Sequence, residues 1–308
     1  MPRKSASFYF KESILLVIKL ALSIVLVNIA IRKINLADLR WIFSTISWSR
    51  ILFLCVLIMF NWAFQIIRWG IILKEYSESA KWHETIKSFF IGHTFRLVIP
   101  GGYAEFLKIY YLNGKHRHGF MAYLVELSSV MLTQIILLVW AGLHLFPHHK
   151  WIFISIGIVT IGACAGFPYL KKIRFVKKYL PNPTIRWSLI LKSGILTVFS
   201  LILISSEYHF IINWAGSISW SAAAQSVIFI LFANSVPFTF GGLGVRENVA
   251  VYLFGLFGIT APVAVATSLF VFVTNSLMPA FIGLVLMLLH RVVRRTPVSP
   301  VQPISSKA

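Results

Sequence analysis

Six long apolar runs set the terms for this chain, at residues 12–31, 50–73, 119–145, 151–170, 187–213 and 259–289. A helix needs about 20 mostly apolar residues to cross a bilayer, so each run is long enough to span. The expected fold class is an all-α integral membrane protein with six full transmembrane helices. Composition agrees: 12% of residues are charged and the mean hydropathy is +0.80, whereas a soluble domain carries ~25% charged residues. Residues 1–290 read as a single transmembrane domain, with a first half at 12–145 and a second at 151–289. A basic tail over 291–308, with Pro297, Pro300 and Pro303, is expected to be disordered and cytoplasmic. The run at 14–31 lacks a small-x-small cleavage site and is long for a signal peptide, so it is expected to be an uncleaved first span.

Two further segments, 85–112 and 221–258, are apolar but interrupted. The first contains Ile99-Pro100-Gly101-Gly102-Tyr103-Ala104-Glu105-Phe106 and the second Pro237-Phe238-Thr239-Phe240-Gly241-Gly242-Leu243-Gly244-Val245-Arg246-Glu247. In each, a glutamate is followed five residues later by a tyrosine, Tyr110 and Tyr252. Proline and glycine end or kink a helix, so Pro100, Gly101, Gly102, Pro237, Gly241, Gly242 and Gly244 are the expected turn residues. The first segment has 15 residues before Pro100 and about ten after Gly102, and at 1.5 Å per residue neither arm comfortably crosses ~30 Å of hydrocarbon. Two broken, re-entrant helical hairpins are expected, with two thin crossings as the alternative.

The charge distribution orients this layout. The net charge is +20. With the N-terminus inside and both hairpins returning to the side they left, 18 basic residues fall inside and five outside: Arg32, Lys33, Arg40, Arg50 and Lys150. The positive-inside rule therefore puts both termini in the cytoplasm, in a cell membrane. The unit of two spans, a broken hairpin and one span then occurs twice with opposite orientation, an inverted-topology repeat of the kind found in secondary transporters. The basic excess is accounted for by anionic headgroups at the inner leaflet, so no nucleic-acid partner is expected. No nucleotide loop, zinc spacing or nucleophile elbow occurs, so no cofactor, metal site or catalytic residue is expected.

A carboxylate at membrane depth costs roughly 2.5–3.5 kcal/mol at the helix centre, so ionisable residues inside the apolar segments are the candidates for function. Arg96, Glu105, Glu126, Arg246 and Glu247 are the expected substrate-binding residues. Lys108, three residues after Glu105, is placed to pair along the same helix face. Arg246 and Glu247 are adjacent, and the expectation is that they point to different neighbours. Arginine would grip a phosphate through paired hydrogen bonds; the carboxylates would balance that charge or contact an amine. The competing reading is that these charges pair internally and bind nothing. Glu126 reads equally as a cavity carboxylate or as one that snorkels to the inner face. Glu207 and His209 are expected to be structural or interfacial. Lys19, Arg68 and Lys192 are expected to snorkel or pair locally. Asn61, Gln65 and Gln134 are expected to join helices by hydrogen bonds.

The stretch Pro237 to Glu247, continued by Tyr252-Leu253-Phe254-Gly255-Leu256-Phe257-Gly258-Ile259, resembles the signature of the lysylphosphatidylglycerol synthase transmembrane region family. Pro100-Gly101-Gly102 with Glu105, Glu126 in the next span, and Pro279 with Gly283 near the end of the last span match other features of that family. The chain departs from it at Leu127 and around Val273-Thr274-Asn275, where members often carry arginine. The resemblance implies a stand-alone, flippase-like membrane domain without the soluble aminoacyl-transferase domain of bifunctional members. It implies translocation or handling of a phosphate-bearing lipid, a modified phospholipid or polyprenyl-linked glycolipid, with membrane lipids and a lipid-biosynthetic enzyme as partners. A membrane-embedded transferase and a non-transporting scaffold subunit are the alternatives.

Overall fold

The computed structural model describes residues 47–77, 81–98, 103–112, 116–170, 186–235 and 242–295. The expected first span at 12–31 lies outside them, as do the turn residues Pro100, Gly101, Gly102, Pro237 and Gly241 and the linker 171–185. Among the described residues the regular structure is helical throughout. The α-helices are α1 (Trp48–Tyr76), α2 (Trp82–Val98), α3 (His116–Leu145), α4 (Lys150–Leu170), α5 (Trp187–Ile212), α6 (Trp220–Ser235), α7 (Val245–Gly255), α8 (Ala261–Phe272) and α9 (Met278–Arg295). A 3-10 helix, Tyr103–Tyr111, follows α2, and a π-helical turn, Val273–Leu277, joins α8 to α9.

Among the described residues four helices are long and apolar enough to cross a membrane: Trp48–Tyr76, His118–Leu145, Trp187–Ile212 and the composite Ala261–Leu289. They coincide with four of the six expected runs. The run at 151–170 coincides with α4, a helix of 21 residues. α9 extends to Arg295 and so takes Arg291, Arg294 and Arg295 of the basic tail into the helix.

The interrupted segments form short helices. α2 has 17 residues and α6 has 16, about 25 Å each at 1.5 Å per residue. The arm after the interruption is a 3-10 helix in the first segment and α7, with 11 residues, in the second. The start of α7 depends on glycine. Gly242 and Gly244 have φ of 75° and 84°, the region that side-chain-bearing residues rarely occupy. A Cβ on Gly242 would also collide with Asn234 of α6.

α1 and α5 run antiparallel as the central pair. Phe53 meets Phe210 at 4.7 Å between ring centroids, Phe64 stacks on Phe199 at 5.5 Å, and Glu75 pairs with Arg186 at one end. Two apolar cores flank this pair. One joins Leu54 and Ile58 of α1 to Tyr208 and Ile212 of α5 and to α6, α7 and α8. The other joins Trp69, Ile72 and Leu73 of α1 to Phe89 and Phe90 of α2, Val125 of α3 and Leu189 of α5. Large apolar side chains such as Phe60, Ile161, Leu191 and Phe281 cover the outside, as lipid-facing helices require.

α9 lies directly against α2. The Thr94 hydroxyl donates to the Ala280 carbonyl at 2.7 Å, and a Cβ on Gly283 would strike the Phe90 carbonyl. Small residues that let backbones approach are the usual contact in membranes, where apolar burial drives little association. The π turn has a cause in the sequence: Pro279 has no N–H to give the Asn275 carbonyl four residues back, and its ring would crowd that carbonyl. A widened turn removes the clash.

Candidate functional site

Buried ionic side chains form two separate groups, accompanied by a chain of amides. The first group centres on Lys108, whose side chain has no exposed surface. Its Nζ donates to Glu126 at 2.6 Å and to Glu105 at 2.9 Å. It also sits 3.9 Å from the centroid of Trp69 and 5.6 Å from that of Tyr123, a cation–π geometry that strengthens when water is excluded. Trp69 is held by its own indole N–H, which donates to Ser88 of α2 at 2.8 Å. Glu126 accepts a second cation, Arg68 of α1, at 3.4 Å, and Arg68 also donates to Thr197 of α5 at 3.3 Å. Gly92 leaves room for this cluster: a Cβ there would lie 3.0 Å from the Lys108 side chain. Two cations and two carboxylates, from α1, the 3-10 helix and α3, thus form a charge-balanced group tied to α5.

The second group lies at the start of α7. Arg246 and Glu247 are both buried and pair with each other, which corrects the expectation that adjacent residues point apart. The reason is their place in the first helical turn. Glu247, three residues after Gly244, folds back so that its Oε2 accepts the Gly244 N–H at 2.6 Å, as acidic side chains do at a helix start. Its Oε1 then faces the long Arg246 side chain, which also donates to the Ser268 hydroxyl of α8 at 3.0 Å and lies 4.4 Å from the Phe272 ring centroid.

The amide chain crosses from α1 to α5. Gln65 donates to Asn61 at 3.1 Å, Asn61 to Asn275 of the π turn at 2.6 Å, and Asn275 to Glu207 of α5 at 2.6 Å.

Of the five expected binding residues, Glu105 and Glu126 are brought together by Lys108, and Arg246 with Glu247 forms its own pair. Arg96 is half-buried and near enough to Glu105 to act on it electrostatically, without a hydrogen bond to it. Glu126 is a buried interior carboxylate; it does not snorkel. Among the described residues no hydrogen bond or ion pair joins the two groups, and none places three or more His, Cys, Asp or Glu around a metal.

Arg68 and Glu207 are the residues that sequence reasoning undervalued. Arg68 was expected to snorkel or pair locally, and Glu207 to be structural or interfacial; the first reaches across to Glu126 and the second is fully buried. A signal existed: Asn61, Gln65 and Arg68 are spaced to lie on one face of α1, and Ser193, Thr197, Ser200 and Glu207 on one face of α5.

The family described as lysylphosphatidylglycerol synthase TM region matches residues 16–283. No curated protein and no solved structure matches the chain.

Proposed function

The chain belongs to the lysylphosphatidylglycerol synthase transmembrane region family, and from that premise we propose that it translocates a lipid with a phosphate-bearing headgroup, either a modified phospholipid or a polyprenyl-linked glycolipid. The observation that carries the reading is the buried group Arg68, Glu126, Lys108 and Glu105 within apolar, membrane-length helices. Such a group is a poor device for stability alone, because well-packed apolar side chains usually serve as well or better than a buried ion pair. Charge inside a membrane bundle more often marks a substrate path. A headgroup phosphate would displace a carboxylate from Lys108 and Arg68, and Glu105, whose side chain is 21% exposed, is the partner best placed to yield. Arg96 stands beside that exit, and Arg246 with Glu247 is the corresponding charge of the second half.

The finer topology belongs to the same reading. Six spans with two re-entrant hairpins in an inverted repeat are consistent with two cores that each enclose one interrupted segment; cytoplasmic termini in the cell membrane rest on the charge distribution, and a lipid-biosynthetic enzyme as partner rests on the family.

The test is movement of a fluorescent phosphatidylglycerol analogue between leaflets of vesicles containing the purified protein, read by chemical quenching of the outer leaflet. Losing one charge-assisted hydrogen bond is worth ~1.5–3 kcal/mol, so Lys108→Met should slow movement roughly tenfold to a hundredfold. Lys192→Ala, on the exposed face of α5, should not. A monodisperse Lys108→Met protein that moves lipid at the unsubstituted rate refutes the role of this group.

A further inference from the structure

Six carboxylates lie among the described residues, and five have a basic partner: Glu75 with Arg186, Glu84 with His83, Glu105 and Glu126 with Lys108, and Glu247 with Arg246. Glu207 has none. Its side chain is fully buried, its Oε2 accepts one hydrogen bond from Asn275, and its Oε1 is buried without a partner. An ionised carboxylate left this way in an apolar interior is strongly disfavoured. A proton on Oε1 removes the charge.

The same surroundings also support the ionised form when it arises. The Asn275 amide directs an N–H at the carboxylate, Asn61 donates to the Asn275 oxygen behind it, and Gln65 donates to Asn61. Every donor in this chain points toward Glu207, so its dipoles reinforce one another as negative charge appears. A group stabilised as an acid by burial and as a base by an aligned donor chain is built to exchange a proton. The π turn contributes by carrying Asn275 onto α5, and such turns frequently mark functional positions.

Among the described residues no ion pair reaches Glu207. α1 contributes Asn61, which reaches Asn275, and the apolar Leu54 and Ile58, which share a core with Tyr208 beside Glu207. α6, α8 and the π turn contain no titratable side chain. The Arg246–Glu247 pair of α7 is self-neutralised. His209, on α5 itself, is half-buried and engaged with Asn213.

We infer that Glu207, with Asn275, Asn61 and Gln65, is a proton-binding site that links movement through the protein to the proton gradient; the linkage rests on the translocation reading, the proton site does not. Two measurements separate them. Infrared spectra of the protein in lipid vesicles, titrated from alkaline to acid, should gain a protonated-carboxyl C=O band that shifts on deuteration. The band should be missing in Glu207→Gln, displaced in Glu207→Asp, and unmoved by sodium at fixed pH. A Glu207→Gln spectrum identical to the unsubstituted one overturns the site, and a band abolished by sodium reassigns it to a metal cation. In vesicles moving the phosphatidylglycerol analogue, a pH step should change the unsubstituted rate several-fold and leave the Glu207→Gln rate without a response. An equal response in both proteins overturns the linkage, and a protein that moves no lipid but shows the band refutes the translocation reading alone.

Discussion

Replacing Lys108 by methionine keeps the length and apolar bulk of the side chain and removes its charge. Lys108 makes two charge-assisted hydrogen bonds and covers the face of Trp69. Breaking a buried ion pair by deleting one member costs ~3–5 kcal/mol, because the other charge is stranded. Two features of this site lower the figure. Glu126 keeps Arg68 at 3.4 Å, and the Glu105 side chain is 21% exposed and can recover solvation by turning outward. The expected loss is therefore about 3 kcal/mol. Glu105→Gln strands no charge, since Lys108 still holds Glu126, and should cost about 1 kcal/mol. Adding it to Lys108→Met removes a stranded carboxylate, so the double variant should be less destabilised than the sum of the two. Reversible unfolding in mixed detergent micelles measures all three, and tryptophan fluorescence includes Trp69, the ring beneath the cation. The reasoning fails if Lys108→Met is no more destabilising than Glu105→Gln, or if the two losses simply add.

Two other substitutions test the frame around the site. Gly283→Leu would drive a side chain into the Phe90 carbonyl and Thr94; it should separate α9 from α2 and destabilise by more than the 1–3 kcal/mol usual for overpacking, read by the same unfolding measurement. Arg246→Ala should leave Glu247 buried and unpaired except at the Gly244 N–H, whereas Arg246→Lys keeps the charge but not the donor that reaches Ser268. The alanine variant should lose ~3–5 kcal/mol and the lysine variant clearly less, and equal losses would show that charge plays no part in holding α7.

The sequence located the membrane-length helices because length and apolar content decide which segments enter a bilayer, and the helices at Trp48–Tyr76, His118–Leu145, Trp187–Ile212 and Ala261–Leu289 follow the expected runs within a few residues. It did not show which faces meet. In water an apolar stripe marks the buried side of a helix, but here the outside is as apolar as the inside: Leu191 and Ile195 face outward from the same helix that buries Leu189 and Leu201. What distinguishes the interior is polarity, and that signal was spread over residues taken singly. Glu105 and Glu126 drew notice for their charge, and Asn61 and Gln65 as amides that join helices, as Asn61 does through Asn275; Arg68 was not linked to them, although their common face was visible in the spacing. The Arg246–Glu247 pair was misjudged for another reason: side-chain direction was taken from the middle of a helix, and a first turn with a backward-folding glutamate does not obey it.

α5 gives these scattered polar residues a common axis. Thr197 binds Arg68 of the first ionic group and Glu207 binds Asn275 of the amide chain. The ten residues between them put the two contacts about 15 Å apart along one helix, half the ~30 Å thickness of the hydrocarbon. Ser200 lies between them on the buried face of α5 with its hydroxyl unpartnered. An unsatisfied buried hydroxyl is costly in a finished core. The polar face of α5 thus joins the first ionic group, through Thr197, to the amide chain, through Glu207, and Ser200 is the point between them where its bonding is interrupted.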